Sequence, residues 1–305
     1  MKPPPFLYAA PDTVEETLVL LAEYGAEAKL LAGGQSLMPL LNMRLARPAV
    51  VIDLNRVKGL DHITPTNGEI RIGAMTRQRA AERSSVLASR LPLITEALRW
   101  VGHAQIRNRG TVGGSLAHAD PAAELPAVAA ALGAAFVIAG QNGTRTLSSD
   151  EFFVGYLTTA IEPTEVLTEV RLPAMARDAG WAFTEVSRRH GDFALVGVAA
   201  LVHTDGGDRW RDVRLAFTGV GPTPVRLREA EAILEGQRLT RDAGSGRRGG
   251  RLDDALLHEI GRLVAERLTP ESDIQASAEY RKHIAGVLAR RALIAAAARA
   301  GGAGA

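Results

Sequence analysis

A chain of 305 residues with 46% hydrophobic side chains has apolar material for two or three packed domains, which argues against wholesale disorder. Basic and acidic residues nearly cancel, at 36 against 34, so the broad positive field of a nucleic-acid-binding protein is missing. Cysteine is absent, which excludes disulfides, a catalytic thiol and any cysteine-ligated iron–sulfur cluster within this chain.

The first residues, MKPPPFLYAAPDT, lack the long apolar core of a secretory signal, and Pro3-Pro4-Pro5 favours an extended start. Asp12-Thr13 reads as a helix start before Val14 to Tyr24, with Leu18, Leu21 and Ala22 on one face and Gly25 at the end. Lys29-Leu30-Leu31 reads as a short strand and Leu37 to Leu45 as a helix, stopped by Arg47-Pro48. Val50 to Leu54 is a β-branched strand. These elements make a β-α-β-α-β unit of about fifty residues.

A second unit begins with a strand at Glu69 to Gly73, Thr76 as the cap of a helix starting near Arg77, and a helix over Leu91 to Val101. An alanine-rich helix over Glu124 to Leu132 suits close packing. Ala135 to Ala139 and Thr144 to Leu147 pair through the hairpin signal Gln141-Asn142-Gly143, and Glu165 to Leu172 is a further strand. Beyond a boundary near Ala174 to Ala179, three strands are expected at Ala182 to Val186, Val196 to His203 and Asp212 to Val220, with Asp205-Gly206-Gly207 turning between the last two. Arg228 to Leu234 and Asp253 to Leu268 read as helices around a glycine-arginine loop, Asp242 to Arg251. In the last helix, Ser277 to Ala298, the residues Tyr280, Ile284, Val287, Leu288 and Ile294 share a face expected in the core. No apolar run approaches the roughly 20 residues of a membrane span, and a soluble cytoplasmic protein is the expectation.

Two glycine turns stand out: Ala32-Gly33-Gly34-Gln35-Ser36 and Thr111-Val112-Gly113-Gly114-Ser115. Glycine lets backbone approach a ligand closely, and successive amides in such turns form concave nests for anionic oxygens. Neither turn is a P-loop or a Gly-x-Gly-x-x-Gly fingerprint. About eighty residues apart, they can close on one diphosphate from two sides, although either alone can be an ordinary tight turn. Gly114-Ser115-Leu116-Ala117-His118 lacks the Gly-x-Ser-x-Gly elbow of a hydrolase. His118, Asp120 and Glu124 are metal-capable, but a polar loop beside the turn accounts for them.

AGGQSLMPLLNMRLARP (Ala32 to Pro48) and QIRNRGTVGGSLAHADPAAELP (Gln105 to Pro126) together resemble the FAD-binding medium subunit of molybdenum hydroxylases, the family of carbon monoxide dehydrogenase and xanthine dehydrogenase. The resemblance runs from about Pro5 to about Ala296. It implies an α+β protein with a two-subdomain, PCMH-type FAD-binding domain over 1–176 (subdomains about 1–56 and 57–176). A C-terminal α+β domain with a three-stranded antiparallel sheet is implied over 177–305.

By the same resemblance, the backbone amides of Gly33, Gly34, Gln35 and Ser36 are one set of diphosphate donors, and those of Val112, Gly113, Gly114 and Ser115 the other, with Ala32 in the first turn. The hydroxyls of Thr111 and Ser115 add hydrogen bonds, Ser115 standing where the family often has Asn. Glu124 matches an acidic position near the adenosine end, with a helix-surface glutamate as the alternative. Ile161, Asp192 and Phe193 match positions around the isoalloxazine ring. Thr184 replaces a lysine found in xanthine dehydrogenase.

The implied cofactor of this chain is FAD, with a molybdenum cofactor and iron–sulfur clusters in a large and a small partner subunit, arranged as a dimer of heterotrimers. Electrons would pass from the clusters through FAD to a terminal acceptor. A docking face near the ring is expected, with Arg188, Arg189, Arg281, Lys282, Arg290 and Arg291 as candidate contacts. Carbon monoxide dehydrogenases commonly have His at the position of Gln35 and Tyr at that of Phe193, which favours an N-heteroaromatic compound or an aldehyde as substrate. The alternatives are a stand-alone FAD-dependent reductase, like the UDP-N-acetylenolpyruvoylglucosamine reductases, and a non-catalytic FAD-binding assembly protein.

Overall fold

The computed structural model describes residues 2–205, 209–238 and 253–300. The turn residues Gly206 and Gly207, the 242–251 loop and the last five residues lie outside the described residues. The first unit is β1 (Leu7–Ala9), α1 (Val14–Tyr24), β2 (Ala28–Leu31), α2 (Leu37–Asn42) and β3 (Val50–Asp53). Thr13 caps α1 by accepting from the Glu16 N–H at 3.1 Å. The strands pair in parallel in the order β1-β3-β2, and the β-branched β3 is buried in the middle.

The second unit runs β4 (Ile63–Pro65), β5 (Glu69–Gly73), α3 (Gln78–Glu82), α4 (Ser85–Arg90), α5 (Pro92–Leu98), α6 (Ala104–Arg109), α7 (Val112–His118), α8 (Glu124–Leu132), β6 (Ala135–Gly140), β7 (Gly143–Ser148), α9 (Ser149–Phe152), β8 (Phe153–Gly155), β9 (Thr158–Thr159) and β10 (Val166–Pro173). Its main sheet is antiparallel in the order β4-β5-β10-β6-β7. The alanine-rich α8 is buried along its whole length. Phe136 and Phe152 stack at 3.9 Å between centroids, with Phe153 edge-on to both.

The third unit contains β11 (Gly180–Ser187), β12 (Ala194–Thr204), β13 (Trp210–Thr218), β14 (Val225–Arg226), α10 (Arg228–Leu234), α11 (Asp254–Arg267) and α12 (Ala278–Arg299). Its sheet holds the three expected long antiparallel strands and adds the two-residue β14 at one edge. Alternation on β11 sends Ala182 toward α12 and Phe183 into the core of the second unit. Both faces of the sheet are therefore covered, and β12 is buried from Ala194 to Val202.

Two expectations are corrected. Thr76 does not cap α3, because its hydroxyl donates to the His62 carbonyl at 2.9 Å, and Arg77 holds the cap position without a side-chain bond. The core face of α12 matches the expected one only in part: Leu288 is buried and Ile284 packs against the core, but Tyr280 and Ile294 are exposed. Ala285, Ala289, Ala292 and Ala296 face inward instead. The reason is spacing. A Cβ on Gly180 of β11 would lie 2.8 Å from the Ala296 backbone, so at this crossing the helix meets the sheet through alanine.

The α11–α12 crossing is equally tight, since a Cβ on Gly286 would fall 3.2 Å from the Gly261 carbonyl carbon. Gly286→Leu should lower the unfolding free energy by roughly 1–3 kcal/mol through overpacking. Urea denaturation checks this, and an unchanged midpoint would mean that the helices part at no cost.

Candidate functional site

The two glycine turns meet. Gly33, in the turn between β2 and α2, presses its Cα face on the backbone just before the second turn. An added Cβ would strike the Arg109 carbonyl oxygen and lie 2.7 Å from the Gly110 Cα. A Cβ on Gly114 would lie 3.2 Å from the Ala32 methyl, and one on Gly113 would lie 2.6 Å from the Ala74 Cα. Gly34 has φ of +73°, a conformation that side chains resist. A cleft of about 450 Å³ opens here, with Gly33, Gly34, Gln35, Met38, Ile106 and Arg109 among its lining residues.

The donors divide unequally. Among the described residues, the N–H groups of Gly33, Gly34, Gln35 and Ser36 donate to no acceptor. The Gln35 side chain folds back to the Gly33 carbonyl at 3.1 Å. The second set of expected amide donors is spent inside the protein. Val112 N–H donates to the Thr76 carbonyl and Gly113 N–H to the Ala74 carbonyl, both at 2.9 Å. Gly114 N–H donates to the Thr111 hydroxyl at 3.0 Å, and Ser115 N–H to the Thr111 carbonyl at 3.2 Å. Thr111 is thus the N-cap of α7. What the second turn has left to offer are hydroxyl protons, since neither Thr111 nor Ser115 donates one among the described residues.

The loop carrying Asp192 and Phe193 joins β11 to β12 and is anchored on the segment leading to the second turn. The His190 ring stacks between Trp100 and His103, at 6.0 and 6.4 Å between centroids. Gly191, with φ of +89°, leaves room for the His103 ring, which a Cβ would strike. His103 is the N-cap of α6, whose other end is Arg109. The ring loop and the glycine turns therefore flank one short helix. Asp192 is exposed and Phe193 is 71% exposed. Ile161 is half-buried, just after β9, which packs on α7. The Thr184 hydroxyl is buried without a partner among the described residues.

Glu124 is not a surface residue. It is 6% exposed at the start of α8, where Thr218 pins the approach by donating its hydroxyl to the Pro121 and Ala123 carbonyls at 2.7 Å. Burial, with the charge of Asp120 added, pushes its carboxyl up to about 7. Glu185 of β11 lies close enough for the Glu124 charge to act on it, and both of its carboxylate oxygens are unpartnered among the described residues. Burial first and Glu124 second push it up to about 9. Arg281, expected among the docking cations, is 7% exposed, with guanidinium bonds to the Leu195 and Gly219 carbonyls and to Asp273. It is a structural strut and is unavailable to a partner.

Sequence reading missed Arg109. It stood inside a quoted motif, but only the fold brings it to the mouth of the cleft beside the free amides. Its guanidinium makes no hydrogen bond or ion pair among the described residues, although it lies within the field of Asp53.

Sequence profiles agree with this arrangement. The profile described as FAD binding domain in molybdopterin dehydrogenase matches residues 4–175, more than half of the chain, and CO dehydrogenase flavoprotein C-terminal domain matches residues 181–296. The chain belongs to the family of FAD-binding medium subunits of the molybdenum hydroxylases. It is similar to the 6-hydroxypseudooxynicotine dehydrogenase complex subunit alpha of Paenarthrobacter nicotinovorans, with 40% identity over 98% of this chain and 97% of that protein. It is likewise similar to the caffeine dehydrogenase subunit beta of a Pseudomonas species, with 40% identity over 98% of this chain and 97% of that one. Among solved structures, a chain of carbon monoxide dehydrogenase from Hydrogenophaga pseudoflava superposes with a TM-score of 0.92 at 38% identity, covering 98% of this chain and all of that one.

The buried carboxylates make stability pH-dependent. Glutamate in an unfolded chain ionises near about 4.3. The folded state therefore holds extra protons from that pH up to about 9, and the stability they contribute is complete in acid and lost as pH rises through 7 to 9. Glu185→Gln should be more stable than the parent at pH 8, with the gap closing toward pH 5. Thermal unfolding across that range tests it, and a gap independent of pH would show Glu185 ionised in the fold.

Proposed function

We propose that this chain is the FAD-binding medium subunit of a molybdenum hydroxylase, relaying electrons from iron–sulfur clusters of a small subunit to a terminal acceptor. A large molybdenum-cofactor subunit would oxidise the substrate. One observation carries the site: two glycine turns from different units meet, and one of them presents four unengaged N–H groups beside an unpaired arginine. This cradle fits a diphosphate, and a Cβ at Gly33 or Gly114 would force the two turns apart.

In this reading Ala32, Gly33, Gly34, Gln35 and Ser36 hold the diphosphate through backbone N–H groups. Thr111 and Ser115 add hydroxyl donors, while Val112, Gly113 and Gly114 form the wall against which the first turn packs. Each charge-assisted bond contributes roughly 1.5–3 kcal/mol, so several suffice without a covalent link. Ile161, Asp192 and Phe193 flank the isoalloxazine ring, and Glu124 lies toward the adenosine end as a buried carboxyl about half protonated at neutral pH. Bound FAD supplies a carrier that takes electrons singly and releases them in pairs. The division of labour falls at 176/177, the first part binding the cofactor and the second covering its ring.

The assembly would be a dimer of heterotrimers in the cytoplasm, and no described helix is long and apolar enough to cross a membrane. Gln35 and Phe193, with relatives named for caffeine and 6-hydroxypseudooxynicotine, support an N-heteroaromatic substrate, or an aldehyde, over carbon monoxide.

The complex co-expressed with its neighbouring subunits should show flavin absorbance and release FAD, not FMN, on heat denaturation. Gly33→Val and Gly114→Val should each abolish that absorbance and leave the circular dichroism spectrum intact. FAD retained in both would remove the diphosphate site from these turns.

Substrate of the molybdenum subunit should bleach the flavin only when the iron–sulfur subunit is present. Bleaching by that substrate with this chain alone would refute the relay, and a flavin never bleached in the full complex would favour an assembly protein.

A further inference from the structure

The two turns belong to different units, the first following β2 of the parallel sheet and the second joining α6 to α7, so something must fix their spacing. Two side chains span the gap. Asn55, just after β3, donates its amide to the Ala32 carbonyl in the first turn at 3.0 Å. Arg77, just before α3, donates one guanidinium nitrogen to the Asn55 side-chain oxygen and the other to the Arg109 carbonyl, two residues ahead of Thr111. Asn55 is itself oriented by Asp53, whose carboxylate accepts the Asn55 N–H at 2.9 Å and the Tyr8 hydroxyl at 2.7 Å.

The backbone reinforces the same link. Gln78 N–H donates to the Gly110 carbonyl at 2.8 Å, and Val112 N–H to the Thr76 carbonyl, so the strip around Arg77 is paired with the second turn. Arg77 is thereby fixed to one turn through its backbone and reaches the other through its side chain. Its surroundings also oppose its own charge: burial and the neighbouring Arg109 both pull its guanidinium below the usual arginine range. Arg109, the neighbour of Arg77, lines the cleft, and its positive charge there suits an anionic occupant.

We propose that Arg77, oriented by Asn55, is a positioning residue for the cofactor: it clips the two glycine turns at the spacing that lets both engage one diphosphate. The inference rests on the reading of these turns as the diphosphate site. It depends on the fork of arginine, because a guanidinium bonds two acceptors in fixed directions at once and an ammonium is a point charge without that geometry.

The test uses the assembled complex, stripped of flavin and titrated with FAD, with thermal unfolding of each flavin-free variant measured alongside. Arg77→Lys keeps the charge and loses the fork. Asn55→Ala keeps the arginine and loses its link to Ala32. Each should weaken FAD binding by roughly ten- to hundredfold, while the flavin-free melting temperature stays close to that of the parent. The double variant should bind little worse than either single one, since both cut the same chain of bonds.

Parent-like FAD affinity in Arg77→Lys overturns the clip and leaves charge alone as the role of this residue. Losses that simply add, or that track a fall in melting temperature, also overturn it in favour of general support. Gly33→Val in the same titration separates the two layers. If Gly33→Val loses FAD and the clip variants do not, only the clip fails. If Gly33→Val binds as the parent does, the site itself lies elsewhere.

Discussion

The structure turns on one place where glycine lets the first unit close on the second. Gly33 lies against Arg109 and Gly110, Gly113 against Ala74, and Gly114 against Ala32. A Cβ at any of these points would sit well inside van der Waals contact with its neighbour. Dense interiors do not yield by an ångström without disturbing what surrounds them. The parallel sheet of the first unit and the antiparallel sheet of the second are therefore held at a separation set by glycine. Everything at the cleft, including its free amides and Arg109, takes its position from that contact.

The contact also explains why two similar motifs do different work. In the second turn the amides of Val112 and Gly113 bond to Thr76 and Ala74, tying α7 to the end of β5. Those bonds build the wall, and an amide engaged in the wall cannot also be a free donor. The first turn rests on that wall and has no such duty. Its four N–H groups stay unengaged among the described residues, and Gly33, Gly34 and Gln35 line the cleft.

Much of this was legible in sequence. The glycine pairs announce backbone geometry directly, and the β-branched, proline-stopped and alanine-rich stretches mark β3, the end of α2 and α8 by local preference. What escaped was decided by distant partners. Whether the Gly114 amide is free depends on the Thr111 rotamer. Whether Thr76 caps a helix depends on the His62 carbonyl, fourteen residues away. The periodicity of α12 grouped Tyr280 and Ile294 with Leu288, but the helix meets Gly180 through Ala296, and of those three only Leu288 is buried. Arg281 carries the same charge as Lys282 in sequence, and only the fold shows it spent on the Leu195 carbonyl. Arg77 and Asn55 belong to no motif, because their link exists only after two sheets have met.

The charges around the site follow a single logic. A diphosphate needs positive potential, and the cleft supplies it in unengaged N–H groups and Arg109, with Arg77 close behind Arg109. Carboxylates in the same neighbourhood would cancel that field, and each is dealt with differently. Burial works against the charge of Asp53, but hydrogen bonds from Tyr8 and Asn55 and the field of Arg109 outweigh it and hold its pKa below the usual range. Glu82 is bound by Arg79 and Arg107. Glu124 and Glu185 have no such cation within bonding distance among the described residues. They are silenced by burial, which favours the proton when no partner is present. At neutral pH Glu185 is a neutral acid and Glu124 is only partly charged, so the seam behind the cleft carries little negative charge. The fold thus leaves Arg109 unpaired at the cleft and ties or buries Asp53, Glu82, Glu124 and Glu185, and the field left over points to an anion.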